Sequence, residues 1–338
     1  MPNSIKSQML VVTTIVVLLL LSSLFSYVPS KPTDQLDWDG DGWSNQWEEE
    51  IGNNPYDPTD VFTCNGLVDL CYHTFNNVTF AETHNSHSSM DWGFLSYAAN
   101  HETNLSGQLE FGFRALMLDT HYAANGSGDV LLCHGGYGDE YQGIHPCSFG
   151  SQSFSLSLDI IYNFLVNNPH EVIVLTIENY VSNSDLQNYL ENSGLSEFAY
   201  SFDYERGWPT LGAMINSGER IVLFSDSGGD SDWIHSKWDL MRETEWGAGS
   251  LEELSCVPPH GSQDAELYRM SAYLTYSSGL SWPHGATMTN NPEFLYNYSL
   301  DCWDQMGVRP NFVSVDWWEQ GDVPSVVVSI NSIEANNL

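Results

Sequence analysis

Residues 113–122 read FRALMLDTHY. Successive side chains of a strand point to opposite faces, so this run sets Ala115, Met117 and Asp119 on one side and Leu116 and Leu118 on the other. Apolar residues on both faces suit a parallel strand covered from both sides. Similar runs recur at 78–83, 129–133, 171–177, 218–224, 271–275 and 311–315. Between them lie helix-spaced stretches at 105–111, 156–167, where Leu158, Ile161, Tyr162 and Leu165 share a face before Pro169, and 323–333. Alternating strands and helices over some 260 residues predict an α/β fold, a TIM-type (β/α) barrel of typically ~250 residues. A doubly wound open sheet would call for a glycine fingerprint after the first strand, and none is there.

The polar residues that stand out sit where these strands stop. His84 and Asn85 follow the first strand in TFAETHNSH, and Asp119 closes the second. His134 ends the third in VLLCHGG, and Glu178 ends the fourth in VIVLTIENY. Strand ends of a barrel converge on one face, where active sites of this fold are built. Two imidazoles can divide general-base and general-acid work near neutral pH, and a hard cation held by oxygen ligands can polarise a phosphoryl group. Arg114 faces away from Asp119 by parity and reads as structural. His87 and His121 fall near the same mouth with no evident role.

The chain of 338 residues is 42% apolar, enough for a sizeable core. Its 9 Lys and Arg stand against 44 Asp and Glu, a net charge of −35, and 35 of those acidic residues lie beyond residue 60. Such a surface repels phosphate backbones, so nucleic acid is excluded as a partner. Residues 1–30 form a separate segment, whose apolar run 9–28 has the length of a membrane-spanning helix or a long signal peptide. Either reading exports the remainder to the cell surface or the medium. In that setting Cys64, Cys71, Cys133, Cys147, Cys256 and Cys302 become candidates for three disulfides. Fifteen pairings are open, and nearness favours Cys64 with Cys71 and Cys133 with Cys147, leaving Cys256 with Cys302. Asn77, Asn104, Asn125 and Asn297 head N-glycosylation sequons.

Residues 31–60 read as an acidic linker before a barrel spanning 61–338. Within it Asp37, Asp39 and Asp41 take positions 1, 3 and 5 of a twelve-residue loop, with Gly42 at position 6 and Glu48 at position 12. Calcium needs that spacing for its oxygen cage. The loop resembles the EF-hand-like repeats of extracellular linkers, such as thrombospondin type 3 repeats, although Ser44 stands where an aliphatic residue is usual.

Taken together and in order, THNSH, GFRALMLDTHY, LLCHGG, FLVNNPHEVIVLTIENY, WPTLGAMINSGERIVLF and NFVSVDWW resemble the X domain of phosphatidylinositol-specific phospholipase C, over roughly residues 75–335. The likeness is strongest to the secreted PLC-like phosphodiesterases. It implies a distorted TIM barrel and cleavage of a phospholipid headgroup at a membrane surface, the inositol 2-hydroxyl attacking phosphorus and diacylglycerol leaving. It makes His84 and His134 the catalytic pair and Asn85, Asp119 and Glu178 the ligands of a catalytic calcium ion. Met117 departs from the pattern, since the calcium-dependent animal enzymes carry a glutamate ligand there and a thioether is a poor partner for calcium. Two other readings keep the same fold: a phosphodiesterase for glycerophosphodiesters or sphingophospholipids, and a catalytically idle calcium-binding surface protein.

Overall fold

The computed structural model describes residues 36–40, 44–51, 53–60, 62–134, 145–276 and 280–333. They fall into two compact units that divide after Val61. The segment 1–30 and its apolar run lie outside the described residues, as does Asp41. Among the described residues no helix is long and apolar enough to cross a membrane.

In the first unit, helix α1 (Asn45–Ile51) follows the acidic loop. Asp37 Oδ1 accepts the Gly40 N–H at 2.7 Å, which closes the turn. Glu48 is buried. Among the described residues no three His, Cys, Asp or Glu side chains are grouped so as to hold a metal ion.

The second unit is built on eight parallel strands: β1 (Phe80–Thr83), β2 (Ala115–Tyr122), β5 (Ile173–Asn179), β6 (Ile221–Ser225), β7 (Ile234–Ser236), β8 (Met241–Glu243), β10 (Leu267–Ser271) and β11 (Phe312–Val315). Their order is β7-β6-β5-β2-β1-β11-β10-β8. All seven neighbouring pairs are parallel. Among the described residues no ladder joins β7 to β8, so the curled sheet is an incompletely closed (β/α) barrel. Three short antiparallel strands join it: β3 (Val130–Leu132) pairs with the end of β2 and with β4 (Gln152–Ser153), and β9 (His260–Gly261) pairs with the edge strand β8.

Strand alternation decides what each face buries. Leu116, Leu118, Leu175, Ile177 and Leu223 point outward and pack under helices α3 (Phe154–Asn167) and α4 (Asn183–Asn192) through Leu158, Ile161, Leu165, Leu186 and Leu190. Helix α3 begins at Ser153, whose Oγ accepts the Leu156 N–H at 3.3 Å. On the other side Met270, Val313 and Val315 pack under α9 (Val323–Asn331). Inside the barrel, Phe80, Phe224 and Phe312 form an aromatic floor, with ring centroids 6.0 and 6.4 Å from Phe312. Above it Arg269 reaches Glu82 through Nε and Nη2 at 2.7 and 2.8 Å and Thr176 Oγ1 at 2.7 Å. Both charges are fully buried, so removing Arg269 would leave Glu82 unpaired at a cost of about 3–5 kcal/mol, whereas Arg269 also lies 3.6 Å from Glu243 Oε1.

The structure shifts two expected elements. The segment 129–133 is not a barrel strand: β3 runs antiparallel to the upper half of β2, Thr120 opposite Leu132 and Tyr122 opposite Val130. The strand expected at 271–275 lies at Leu267–Ser271, and Leu274 and Thr275 form only isolated bridges. The buried Arg269 breaks the apolar run of β10, which displaces the reading toward AYLT. All three disulfides form as nearness suggested: Cys64–Cys71, Cys133–Cys147 and Cys256–Cys302.

Candidate active site

The mouth of the barrel lies at the C-terminal ends of its parallel strands. β1 and β11 pair with Thr83 opposite Val315, so His84 and Asp316, each the next residue, stand level. His84 Nδ1 donates to Asp316 Oδ1 at 2.9 Å. Asp316 is 2% exposed and takes two further donors, Asn100 Nδ2 to Oδ1 at 2.8 Å and Ser281 Oγ to Oδ2 at 2.7 Å. The neighbouring Trp317 has φ 45°, a left-handed backbone that a bulky side chain seldom adopts. Its N–H bonds the Asn100 carbonyl at 2.6 Å and its indole N–H bonds Ser281 Oγ at 2.7 Å, so the fold holds the strained turn that presents Asp316. The Tyr273 ring stacks on His84 with centroids 4.3 Å apart and planes within 4°.

His134 reaches the same mouth by another route. The β2–β3 hairpin rises past Asp119 and turns back, and the Cys133 N–H bonds the Asp119 carbonyl at 3.2 Å. The Cys133–Cys147 disulfide fixes the chain at that point. Asn85, at φ 47°, sits between the two histidines. With its amide nitrogen toward His134, it lies 3.4 Å from Nε2. Turned the other way, it donates to both Asp119 oxygens at 3.2 and 3.1 Å and accepts from His84 Nε2 at 3.3 Å.

β2 and β5 pair with Asp119 opposite Glu178, and β5 and β6 with Ile177 opposite Ser225. Asp119, Glu178 and Asp226, the residue after Ser225, therefore line up across three neighbouring strands. Burial, then the charges of Glu178 and Asp226, push the Asp119 carboxyl well above the usual range, with Lys237 opposing. The Tyr180 hydroxyl donates to Glu178 Oε2 at 3.2 Å.

The PI-PLC X 1 family profile matches residues 70–331. The chain belongs to the PI-PLC X-domain family. A PI-PLC X domain-containing protein of Arabidopsis thaliana is 26% identical over 73% of this chain and 59% of its own length. An uncharacterised secreted protein of Arthroderma benhamiae is 24% identical over 83% of this chain and 65% of its own. The chain thus spans about three fifths of each of these two relatives. The phosphatidylinositol-specific phospholipase C of Listeria monocytogenes superposes with a TM-score of 0.52 at 14% identity, covering 80% of this chain and 97% of that one. A Staphylococcus aureus phosphatidylinositol-specific phospholipase C gives 0.54 at 15% identity over 78% and 95%. At these identities the likeness shows the fold, a distorted α/β barrel.

In this X domain the two histidines are driven apart in acidity. Burial would lower the His84 pKa, but the Asp316 carboxylate beside it, helped by Glu178 and Glu243, outweighs that and raises it. Burial and the His84 charge hold His134 below the ordinary value, against the pull of Asp316 and Glu178. Burial would likewise raise Asp316, yet His84 brings it down.

The structure brings His84, Asn85, Asp119, His134 and Glu178 to one mouth. It places Arg114 elsewhere, at the entry to β2, where its Nε donates to Glu171 Oε2 at 2.6 Å. Met117 points into the barrel and its Sδ accepts from Ser314 Oγ at 3.7 Å. His121 stacks on Tyr180 at 4.4 Å, and His87 is fully buried beside Phe94, its ring nitrogens lacking hydrogen-bond partners. Sequence reasoning missed Asp316, Tyr273 and Asp226. Asp316 and Asp226 follow the pattern that singled out His84 and Glu178, a polar residue at the end of an apolar strand, and NFVSVDWW and IVLFSD carry that signal.

Proposed function

We propose that the chain is a calcium-assisted phosphodiesterase that cleaves a phospholipid headgroup, phosphatidylinositol in the first instance, at an extracellular membrane surface. The observation that carries the reading is the His84–Asp316 pair, with His134 across Asn85 from it at the mouth of an X-domain barrel.

His84, its Nδ1 tied to Asp316, has Nε2 left to accept the proton of the attacking inositol hydroxyl, and Asp316 stabilises the imidazolium that forms. The hydroxyl oxygen bonds to phosphorus as the bond from phosphorus to the diacylglycerol oxygen breaks. His134, across Asn85 from His84, gives its proton to that leaving oxygen. The immediate product is a cyclic phosphodiester.

Asn85, Asp119 and Glu178 offer the oxygen donors that suit calcium, and a cation there would offset the repulsion between the buried Asp119 and the half-buried Glu178 beside it. Bound there, calcium would neutralise charge developing on the phosphoryl oxygens. The orientation of Asn85 with its oxygen toward Asp119 and its nitrogen toward His134 is the one that ligation requires. A second ion at Asp37, Asp39, Asp41 and Glu48 would stiffen the linker without touching the chemistry. The three disulfides support an oxidising, extracellular setting.

Release of diacylglycerol from phosphatidylinositol vesicles tests the reading. Calcium-dependent release, lost in His84→Ala, is expected, whereas no release from any phospholipid would make this an idle barrel.

A further inference from the structure

The β1–β11 ladder carries His84 and Asp316 only as far as their backbones. It ends with the His84 N–H on the Val315 carbonyl at 3.0 Å, and the two side chains lie beyond it. What holds them there is the loop that leaves β1 after His84 and returns at residues 98–101. The Asn100 and His101 N–H groups both donate to the Ser88 carbonyl, at 2.8 and 3.1 Å. Ser88 Oγ donates to the Ala98 carbonyl at 2.7 Å, and the Met90 N–H to the His101 carbonyl at 3.0 Å. These bonds tie the returning segment to the outgoing one and make it a braced platform.

Two adjacent residues on that platform reach the dyad. His101 Nε2 donates to the His84 carbonyl at 2.7 Å, which fixes the backbone that carries the imidazole. Asn100 Nδ2 donates at 2.8 Å to Asp316 Oδ1, the same oxygen that takes His84 Nδ1. The Asn100 carbonyl takes the Trp317 N–H at 2.6 Å, so one residue grips Asp316 by its carboxylate and by the strained turn that follows it. Neither side chain is buried to its own advantage. Asn100 is 1% exposed and His101 0%, and among the described residues Asn100 Oδ1 and His101 Nδ1 have no hydrogen-bond partner. A buried polar atom left unpaired costs stability, so what offsets it must come from the one bond that each side chain makes. In both cases that bond goes to the dyad.

We propose that Asn100 and His101 are positioning residues for the general base: Asn100 orients the Asp316 carboxylate and His101 the His84 backbone, so that the ring proton stays on Nδ1 and Nε2 faces the reacting hydroxyl. The inference rests on the phosphodiesterase reading and adds to it the groups that make His84 a base.

The test measures kcat and KM for phosphatidylinositol cleavage by the full chain in calcium, beside thermal melts, for Asn100→Ala, His101→Leu and His101→Gln. We expect kcat to fall about 10- to 100-fold in Asn100→Ala and His101→Leu, with KM changed less than about threefold. His101→Gln, which keeps a side-chain N–H donor, should recover most of the loss. A second readout is the tautomer of His84, read from two-bond proton–nitrogen correlations of the histidine-labelled chain in mildly alkaline buffer and assigned by their loss in His84→Ala. The parent should hold the Nδ1–H form, and Asn100→Ala should shift it toward Nε2–H. Folded Asn100→Ala and His101→Leu with kcat within about threefold of the parent, an effect on KM alone, or failure of both to fold would overturn the inference and leave the phosphodiesterase reading intact. If the parent cleaves no phospholipid, that reading fails instead and the tautomer decides. A shift toward Nε2–H in Asn100→Ala then upholds the positioning role, and an unchanged tautomer or an unfolded variant overturns it.

Discussion

His84 and Asp316 come from the first and last strands of the barrel, 232 residues apart, and meet Nδ1 to Oδ1 at 2.9 Å. The bond depends on β1 and β11 lying side by side, so closing this part of the sheet and assembling the dyad are one event. Asp316→Asn should lower turnover on the order of 10²- to 10⁴-fold, with a smaller effect on KM, because the amide no longer stabilises the His84 imidazolium. Steady-state kinetics beside a thermal melt checks this. A kcat within a few-fold of the parent in a folded variant would remove Asp316 from the mechanism.

The base and acid roles separate with the leaving group. His84→Ala and His134→Ala should each cost on the order of 10² to 10⁴ on phosphatidylinositol. On a p-nitrophenyl inositol phosphodiester, whose leaving oxygen needs no proton, His134→Ala should recover most of its loss and His84→Ala little. The reverse pattern would exchange the two roles.

Much of this site was legible in the sequence because strand periodicity is strict. Parity alone set Asp119 with Met117 inside the barrel and sent Leu116 and Leu118 to the helices, as observed. Asn85, Asp119 and Glu178 were found because they end apolar runs. Asp316 ends one too, but partnership with His84 is a property of β1–β11 pairing, which local pattern does not encode. The route of His134 was misread for a related reason: a short apolar run such as VLL does not reveal whether it runs parallel to its neighbour. Lys237 and Arg269 were opaque because a buried charge breaks the hydrophobic pattern that marks a core.

Met117→Glu should tighten calcium binding about tenfold or more, since a carboxylate there shares a strand face with Asp119 two residues on, and ligand charge count sets calcium affinity. Calorimetric titration of a chain shortened to residues 62–338 would isolate this site from the linker loop, with thermal melts confirming that both forms fold. Unchanged affinity would argue that Asp119 is not a ligand.

The buried histidines predict loss of stability in mild acid. Burial holds His101 at about 4 against the opposing charge of Asp316, and pushes His87 and His134 down as well. Between the ordinary value of 6.5 and about 4 the unfolded chain binds protons that the folded chain refuses, so stability falls as pH falls through that window. His101 alone accounts for about 3 kcal/mol. His84 and Asp119 act in the opposite sense: their raised pKa values give stabilisation that is present at low pH and is lost as pH rises through the raised values. The urea midpoint of the parent should therefore drop more between about pH 7 and about pH 4 than that of a folded His101→Asn variant. An equal change in the two would contradict the buried, neutral state of His101.

The central claim is that the two histidines and a calcium ion at Asn85, Asp119 and Glu178 together cleave a phosphodiester. The most direct measurement is the initial rate of diacylglycerol release from phosphatidylinositol vesicles by the full chain, in calcium and in excess chelator, for the parent and for Asp119→Asn. The account predicts release in calcium, its loss in chelator with recovery on adding calcium back, and a raised calcium requirement in Asp119→Asn. Equal rates in calcium and chelator, with Asp119→Asn folded and as active as the parent, would contradict it.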